Sequence, residues 1–431
     1  MEMLYQYLWK HTMLGRELTT VDGRRVEVVS PGRHNRDSGP DFTGARLRIG
    51  SELWAGNVEV HLKASDWFRH HHDNDPAYDN VIMHLVGEND CEVANGHGGV
   101  IPQIVASFPD SFMAMYERLA SKINAVKCEN EVGSLPRLAV IDWLGTLSIE
   151  RMHQKAQRIA DTVRVLEFDW EWGCFVTLAR ALGFGLNSDP FEMLARRTPL
   201  RILAKHADST FQLEALLLGQ AGMLDTSIHI FDEYYQALCR EYFFLARKYD
   251  LRPMNREIWK YSKTRPQNFA PRRIAMLARA VTGGFSLLSR LADRECDIDA
   301  ARLLFDWELS GYWLDHFDFD VPGSKLPATL SAANIDLLLI NFVAPMLYAY
   351  GRSRCDIDMA ERGLAIWEDL RPENNTYIRQ WTRAGLPCES AADSQALLQL
   401  RREYCDRSRC LDCRFGHRLL RNQFQTPHTT D

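Results

Sequence analysis

The feature that most limits how this chain can fold is a change of hydrophobic period near Asp110. Before it, apolar and polar residues alternate, the two-residue repeat of strands lying half buried in a sheet. Val26-Glu27-Val28-Val29, Leu47 and Ile49 against Arg46 and Arg48, and Val58 to Lys63 all read this way. From Met113 to Ala384, apolar residues recur instead at three- and four-residue spacing, punctuated by Gly and Pro, the mark of amphipathic helices. A chain of 431 residues exceeds one ordinary core. The expected architecture is therefore an α/β core over residues 1–109, a large all-α region over 110–385, a cysteine-bearing module over 386–421, and a disordered tail over 422–431.

Inside the core, Leu4, Tyr5, Leu8 and Trp9 predict a leading helix. Asp22-Gly23 predicts a turn ahead of the first long strand, and Arg33 to Gly39 a loop. Strands are expected at Asp41–Ile49, Leu53–Ala64 and Asn80–Gly87, with a short helical segment between Ser65 and Tyr78. A hairpin near Asn95-Gly96 and a further strand at Val100–Ser107 complete it. The order is helix, three strands, helix, strand.

Alternation places Glu59, His61 and Lys63 on one strand face and Val58, Val60 and Leu62 on the other. With the Asp41 strand alongside, two carboxylates meet at one edge of the sheet. Such a pair suits Mg²⁺ or Mn²⁺, which take carboxylate oxygens and leave room for a phosphate. The ion would act as a Lewis acid and activate water, with Lys63 or protonated His61 neutralising charge on phosphorus. The plain alternative is a loop-capping Asp41 and an exposed Glu59 paired with Lys63.

Pro40-Asp41, followed by an acid in the next strand and then a basic residue, resembles the PD-(D/E)xK nuclease superfamily. The resemblance implies a restriction-endonuclease-like core with Asp41 and Glu59 as metal ligands. Glu2 matches the extra acid that some members carry in the leading helix. The lysine expected two residues after the acid is replaced by His61, and Lys63 stands two residues further on. The chain also resembles, over nearly its full length, an uncharacterised bacterial family filed as a domain of unknown function. The residues that carry this second resemblance are Gly39-Pro40-Asp41-Phe42, Trp54 to His61, Ser65-Asp66-Trp67, Asp75-Pro76-Ala77-Tyr78, Arg265 to Phe269 and the C-terminal cysteines.

His70, His71, His72, Asp75 and His84 form a second constellation. His70, His72 and Asp75 are candidate metal ligands by residue type, and one histidine could serve the Asp41/Glu59 site as acid or base. His84, among apolar neighbours, reads as a hydrogen-bonded core residue.

Of ten cysteines, Cys91, Cys128, Cys174, Cys239, Cys296 and Cys355 are scattered singly and read as buried reduced hydrophobes. Cys388, Cys405, Cys410 and Cys413 crowd together and suit Zn²⁺ or an iron–sulfur cluster, with His417 able to replace one of them. Some PD-(D/E)xK nucleases of the recombination and CRISPR-adaptation type carry a similar four-cysteine cluster, at other spacings.

The net charge of −6 argues against a globally basic nucleic-acid binder, so contacts must come from local patches. Arg407, Arg409 and Arg414 near the cysteines, and Arg265, Arg272 and Arg273 before a helix, are the candidates. The N-terminus lacks a basic leader, and the most apolar run, Ile335 to Tyr350, holds Asp336, Asn341 and Pro345. A cytoplasmic protein with no membrane partner is expected. The function expected is a metal-dependent, nuclease-like hydrolase of DNA or RNA phosphodiesters, with DNA favoured. The alternatives are a non-catalytic nucleic-acid-binding or assembly protein on a decayed nuclease core, and a histidine-based metallohydrolase acting on a small molecule.

Overall fold

The structure, a computed structural model, describes residues 2–35, 37–121, 126–225, 230, 232–262, 268–323 and 326–424. The chain forms two compact units, one of residues 1–140 with 401–431 and the other of residues 141–400.

The first unit is built on a mixed sheet. Its strands run in the spatial order β1 (Glu17–Thr19), β2 (Arg25–Ser30), β4 (Phe42–Ile49), β5 (Glu52–Lys63), β6 (Val81–Glu88) and β7 (Gln103–Val105). The two-residue β3 (Arg33–His34) pairs with the start of β4, inside the stretch expected to be a loop. β1, β2, β4 and β5 pair antiparallel, as short turns allow, whereas β6 runs parallel to β5 and β7 parallel to β6. The β5–β6 step needs a crossover, and residues 64–80 supply it with α2 (Asp66–Arg69) and two single 3₁₀ turns.

Helix α1 (Glu2–Lys10) packs against β5 and β6 through Leu4, Tyr5, Leu8 and Trp9. Gly87 permits that approach, because a Cβ there would lie 2.5 Å from the Tyr5 hydroxyl. On this side of the sheet Val26, Val28, Phe42, Leu47, Val58, Val60, Met83 and Leu85 form the core, joined by Phe112 and Leu119 of α3 (Asp110–Ala120).

The C-terminal segment returns to this core instead of standing as a module from residue 386. Residues up to 400 belong to the helical unit, while Cys410 and Leu420 are buried in the core of the sheet unit. The last helix, Arg414–Asn422, packs on α3, and Phe424 lies 4.9 Å from the Phe112 ring. Thus Asn422 to Phe424 continue the fold where a disordered tail was expected. Residues 425–431 lie outside the described residues.

The second unit is helical. The periodicity of Phe191 to Ala204 predicts one helix, but the chain makes two, Ser188–Arg197 and Leu200–Ala204. Pro199 lies between them; it has no N–H to donate and disfavours helix at the residue before it. Ala332–Ser353 is a 22-residue helix, long and apolar enough to cross a membrane by composition, yet 61% of its most apolar window is buried inside the protein. Its π turn at Leu339–Val343 precedes Pro345, whose missing N–H breaks the regular ladder.

An ion-pair network ties three helices of this unit. Glu192 accepts from Arg158 at 2.9 Å, Arg180 at 2.7 Å and Arg196 at 2.9 Å. Burial alone would raise the Glu192 carboxyl, but the bond from Arg196 and the charges of Arg158 and Arg180 outweigh it and lower its pKa. A folded-state pKa below the unfolded one stabilises above the unfolded value, and that stability is lost as pH falls through the folded value. Glu192→Gln is expected to cost about 2 kcal/mol at neutral pH, the scale of charge-assisted hydrogen bonds. Urea titrations at neutral and acid pH check this, with the difference between variant and wild type shrinking in acid.

Candidate metal centre

Strand register brings the two acids together. Phe42 stands opposite Val58, so Asp41, one residue earlier, falls beside Glu59. The contacts are reciprocal. The Asp41 backbone N–H donates to Glu59 Oε2 at 2.9 Å, and the Val60 N–H donates to Asp41 Oδ2 at 3.1 Å. The Gln6 amide of α1 donates to the other Asp41 oxygen at 2.8 Å. Burial, reinforced by the Glu59 charge, pushes the Asp41 carboxyl up to about 7. Burial likewise raises Glu2, against the pull of His70, and Glu59 also acts on it, so Glu2 stands at the margin of the same site.

The polar face of β5 is covered at Glu59 and His61 and open at Lys63. Glu59 is 5% and His61 1% exposed. The crossover covers them, with Trp67 fully buried and Tyr78 stacked on His72 at 3.7 Å. Under this cover, His61 Nε2 lies 3.1 Å from His70 Nδ1, and Glu59 Oε1 lies 3.5 Å from His61 Nε2 and 3.4 Å from His72 Nε2. His61, His70 and His72 each offer a nitrogen within 4.8 Å of the others. Between the last two, His71 takes a left-handed backbone (φ 62°), which turns the chain so that both flanking rings lie against His61.

The other His61 nitrogen is occupied. Nδ1 sits 2.9 Å from Nε2 of His84, a residue with no exposed surface. For His61 Nε2 to present a lone pair, its proton must be on Nδ1 and donated to His84. Desolvation, followed by the neighbouring histidines, drives His61 down to about 2, and burial drives His84 down to about 3. Both rings are therefore neutral near pH 7, the state in which imidazole binds metal. Nδ1 of His84 and the Trp67 indole nitrogen have no hydrogen-bond partner among the described residues.

Other expected residues lie elsewhere. Lys63 is exposed and pairs with Glu88 at 2.9 Å, not with Glu59. The alternative of an exposed Glu59 paired with Lys63 fails on both counts. The Asp75 side chain accepts from the Ala77 N–H and caps a 3₁₀ turn. Arg272 and Arg273 are 2% and 3% exposed and cannot form a surface patch. Arg272 donates to the carbonyls of Trp313 and Pro327, and Arg273 bonds Asn268 and lies over the Phe184 ring. Arg265 falls outside the described residues. Arg407 and Arg409 pair with Glu403 and Asp412, and Arg414 is exposed. Cys388 belongs to the helical unit, where Asp393 and Glu373 act on its thiol.

Four contributors escaped the sequence reading. Gln6 shares the α1 face of Glu2 by four-residue spacing, a signal that was available. Trp67 and Tyr78 stood in quoted motifs, but nothing local assigned them to cover the site. Cys128 was read as an isolated hydrophobe, although it is buried where Cys413 and Cys410 act on its thiol.

No curated protein and no solved structure matches this chain. Residues 2–376 match the sequence model of a family described as "Protein of unknown function (DUF2851)". The match takes in Asp41, Glu59 and all four clustered histidines, and it stops before Cys388, Cys405, Cys410 and Cys413. The chain therefore belongs to this family of unknown function, DUF2851.

Proposed function

We propose that the protein is a metal-dependent hydrolase of phosphodiester bonds in nucleic acid. The observation that carries this reading is the donor set. Asp41 and Glu59 are locked together by main-chain bonds, and the second Glu59 oxygen stands 3.4 to 3.5 Å from the ring nitrogens of His61 and His72. Donors sharing one ion at bonds of about 2.1 Å stand about 3 to 3.4 Å apart, so the residues fit a bound cation. The strand order supports the reading as well. A leading helix, antiparallel β2, β4 and β5, a short helix, and a parallel β6 follow the order of the PD-(D/E)xK core. Asp41 enters the second of those strands and Glu59 lies in the third.

The imidazoles modify the expected chemistry. Mg²⁺ favours oxygen ligands, whereas a mixed carboxylate and imidazole set suits Mn²⁺, Fe²⁺ or Zn²⁺. A bound divalent cation would supply Lewis-acid polarisation of the phosphoryl group and activation of water. Glu59, His61, His70 and His72 would hold it. Asp41 fixes Glu59 through the backbone, and His84 sets the tautomer and ring orientation of His61. Trp67 and Tyr78 keep bulk water from the buried side. The exposed His70 edge is where substrate reaches the site.

One observation favours a second reading. An imidazole stands where the superfamily pattern has lysine, and Lys63 is engaged with Glu88. A non-catalytic nucleic-acid-binding protein on the same core would bind DNA equally with and without metal and cut neither strands, flaps nor RNA.

Metal-stripped protein is expected to regain cleavage of DNA or RNA with Mn²⁺. Glu59→Gln and Asp41→Asn are each expected to lower the rate by roughly 100-fold or more, the scale of losing transition-state charge stabilisation. Unchanged cleavage by both variants would remove the site assignment. His84→Ala is expected to weaken Mn²⁺ affinity about 10- to 100-fold, as measured by calorimetric titration, with the helical circular dichroism retained.

A further inference from the structure

Three of the four gathered thiols lie in one irregular C-terminal stretch. Leu400–Cys405 is a π turn, Ser408 takes a left-handed backbone (φ 52°), and Cys410–Asp412 is a single 3₁₀ turn. The last helix then starts with Cys413 at its N-cap and no side-chain cap. Between Cys405 and Cys413 the other residues are Asp406, Arg407, Ser408, Arg409, Leu411 and Asp412. This stretch brings almost no apolar side chain of its own, yet Cys405, Cys410 and Cys413 are only 7%, 7% and 5% exposed.

The fourth thiol comes from far back in the chain. Cys128, 8% exposed, follows α3. Its neighbour Lys127 anchors that segment by donating to the carbonyls of Leu119, at 3.0 Å, and Ser121. Helix α3 packs on the 410–412 turn and on the last helix, so the two segments share one place in the fold. The thiols act on one another there. Burial raises Cys405, and Cys128, Cys413 and Cys410 add to it. Burial pushes Cys128 up to about 12, with Cys413 and Cys410 contributing, and burial raises Cys410 too, against the Lys127 charge. No disulfide joins any of the four, so none performs the cross-link.

Spacing separates two kinds of thiolate-bound metal. A single Zn²⁺ with bonds of about 2.3 Å holds its sulfurs about 3.8 Å apart. Among the described residues, no three of these sulfurs come within 4.8 Å of one another. A four-iron cluster accepts one thiolate on each iron and needs that wider spacing.

We propose that Cys128, Cys405, Cys410 and Cys413 ligate a four-iron iron–sulfur cluster that fastens the C-terminal helix to the sheet unit. Assembly from ferrous and ferric iron and sulfide releases one proton from each thiol and requires no net electron transfer. The cluster supplies the cohesion that the polar 406–412 stretch cannot, as metal binding does for other small irregular segments.

The test is iron and acid-labile sulfide analysis of the full chain purified without air, with Cys128→Ser and Cys388→Ser compared. The expected result is about four iron and four sulfide per chain in wild type and in Cys388→Ser. Cys128→Ser is expected to lose most of both. Retention of the cluster by Cys128→Ser, or its loss in Cys388→Ser alone, overturns the ligand set. One zinc per chain without sulfide overturns the cluster. X-ray absorption at the iron edge of wild type guards against a variant that simply misfolds. A shell dominated by sulfur with iron–iron scattering supports the proposal, and a shell of nitrogen and oxygen without sulfur contradicts it.

Discussion

The reciprocal hydrogen bonds between Asp41 and β5 are the constraint on which the site depends. Each carboxylate uses one oxygen to accept a backbone N–H of the other's strand. The pair therefore fixes both the entry of β4 and the outward aim of the second oxygens. Strand register cannot slip here without reversing which residues face the crossover, since side chains alternate with a period of two. α1 contributes through Gln6, so the helix that closes the apolar side of the sheet also orients an acid on its polar edge.

Burial of that polar face carries a cost that its contacts partly offset. Removing an ionised carboxylate from water is expensive unless hydrogen bonds or opposite charge compensate. Glu59 has a backbone N–H and the imidazoles of His61 and His72 beside it. The unsatisfied Nδ1 of His84 and the indole nitrogen of Trp67 show that compensation among the described residues is incomplete. An arrangement with two acids adjacent and ring nitrogens converging on them is poor as a self-contained core. As the setting for a cation it is coherent.

Much of this was legible in the sequence because it follows from local periodicity. Val58 to Lys63 announced which residues share a face, and Asn80 to Gly87 announced a nearly continuous apolar strand, which the fold buries from Val81 to Val86. What could not be read was what covers that face. Glu59 was placed at an edge of the sheet with Asp41, but the crossover bends back over it through a left-handed His71, and no pattern in the chain encodes that fold-back. The same limit applied to Arg272 and Arg273, whose charge suggested a surface patch while their guanidinium groups serve buried carbonyls and an amide. It applied most to Cys128, since convergence across the chain leaves no spacing to recognise.

Pulsed electron paramagnetic resonance on the Mn²⁺-loaded chain bears most directly on the claim that acid and imidazole share one ion. The account predicts one Mn²⁺ per chain with hyperfine coupling to histidine nitrogen, and loss of that signal in Glu59→Gln. Manganese bound without nitrogen coupling, or coupling untouched by Glu59→Gln, would contradict it.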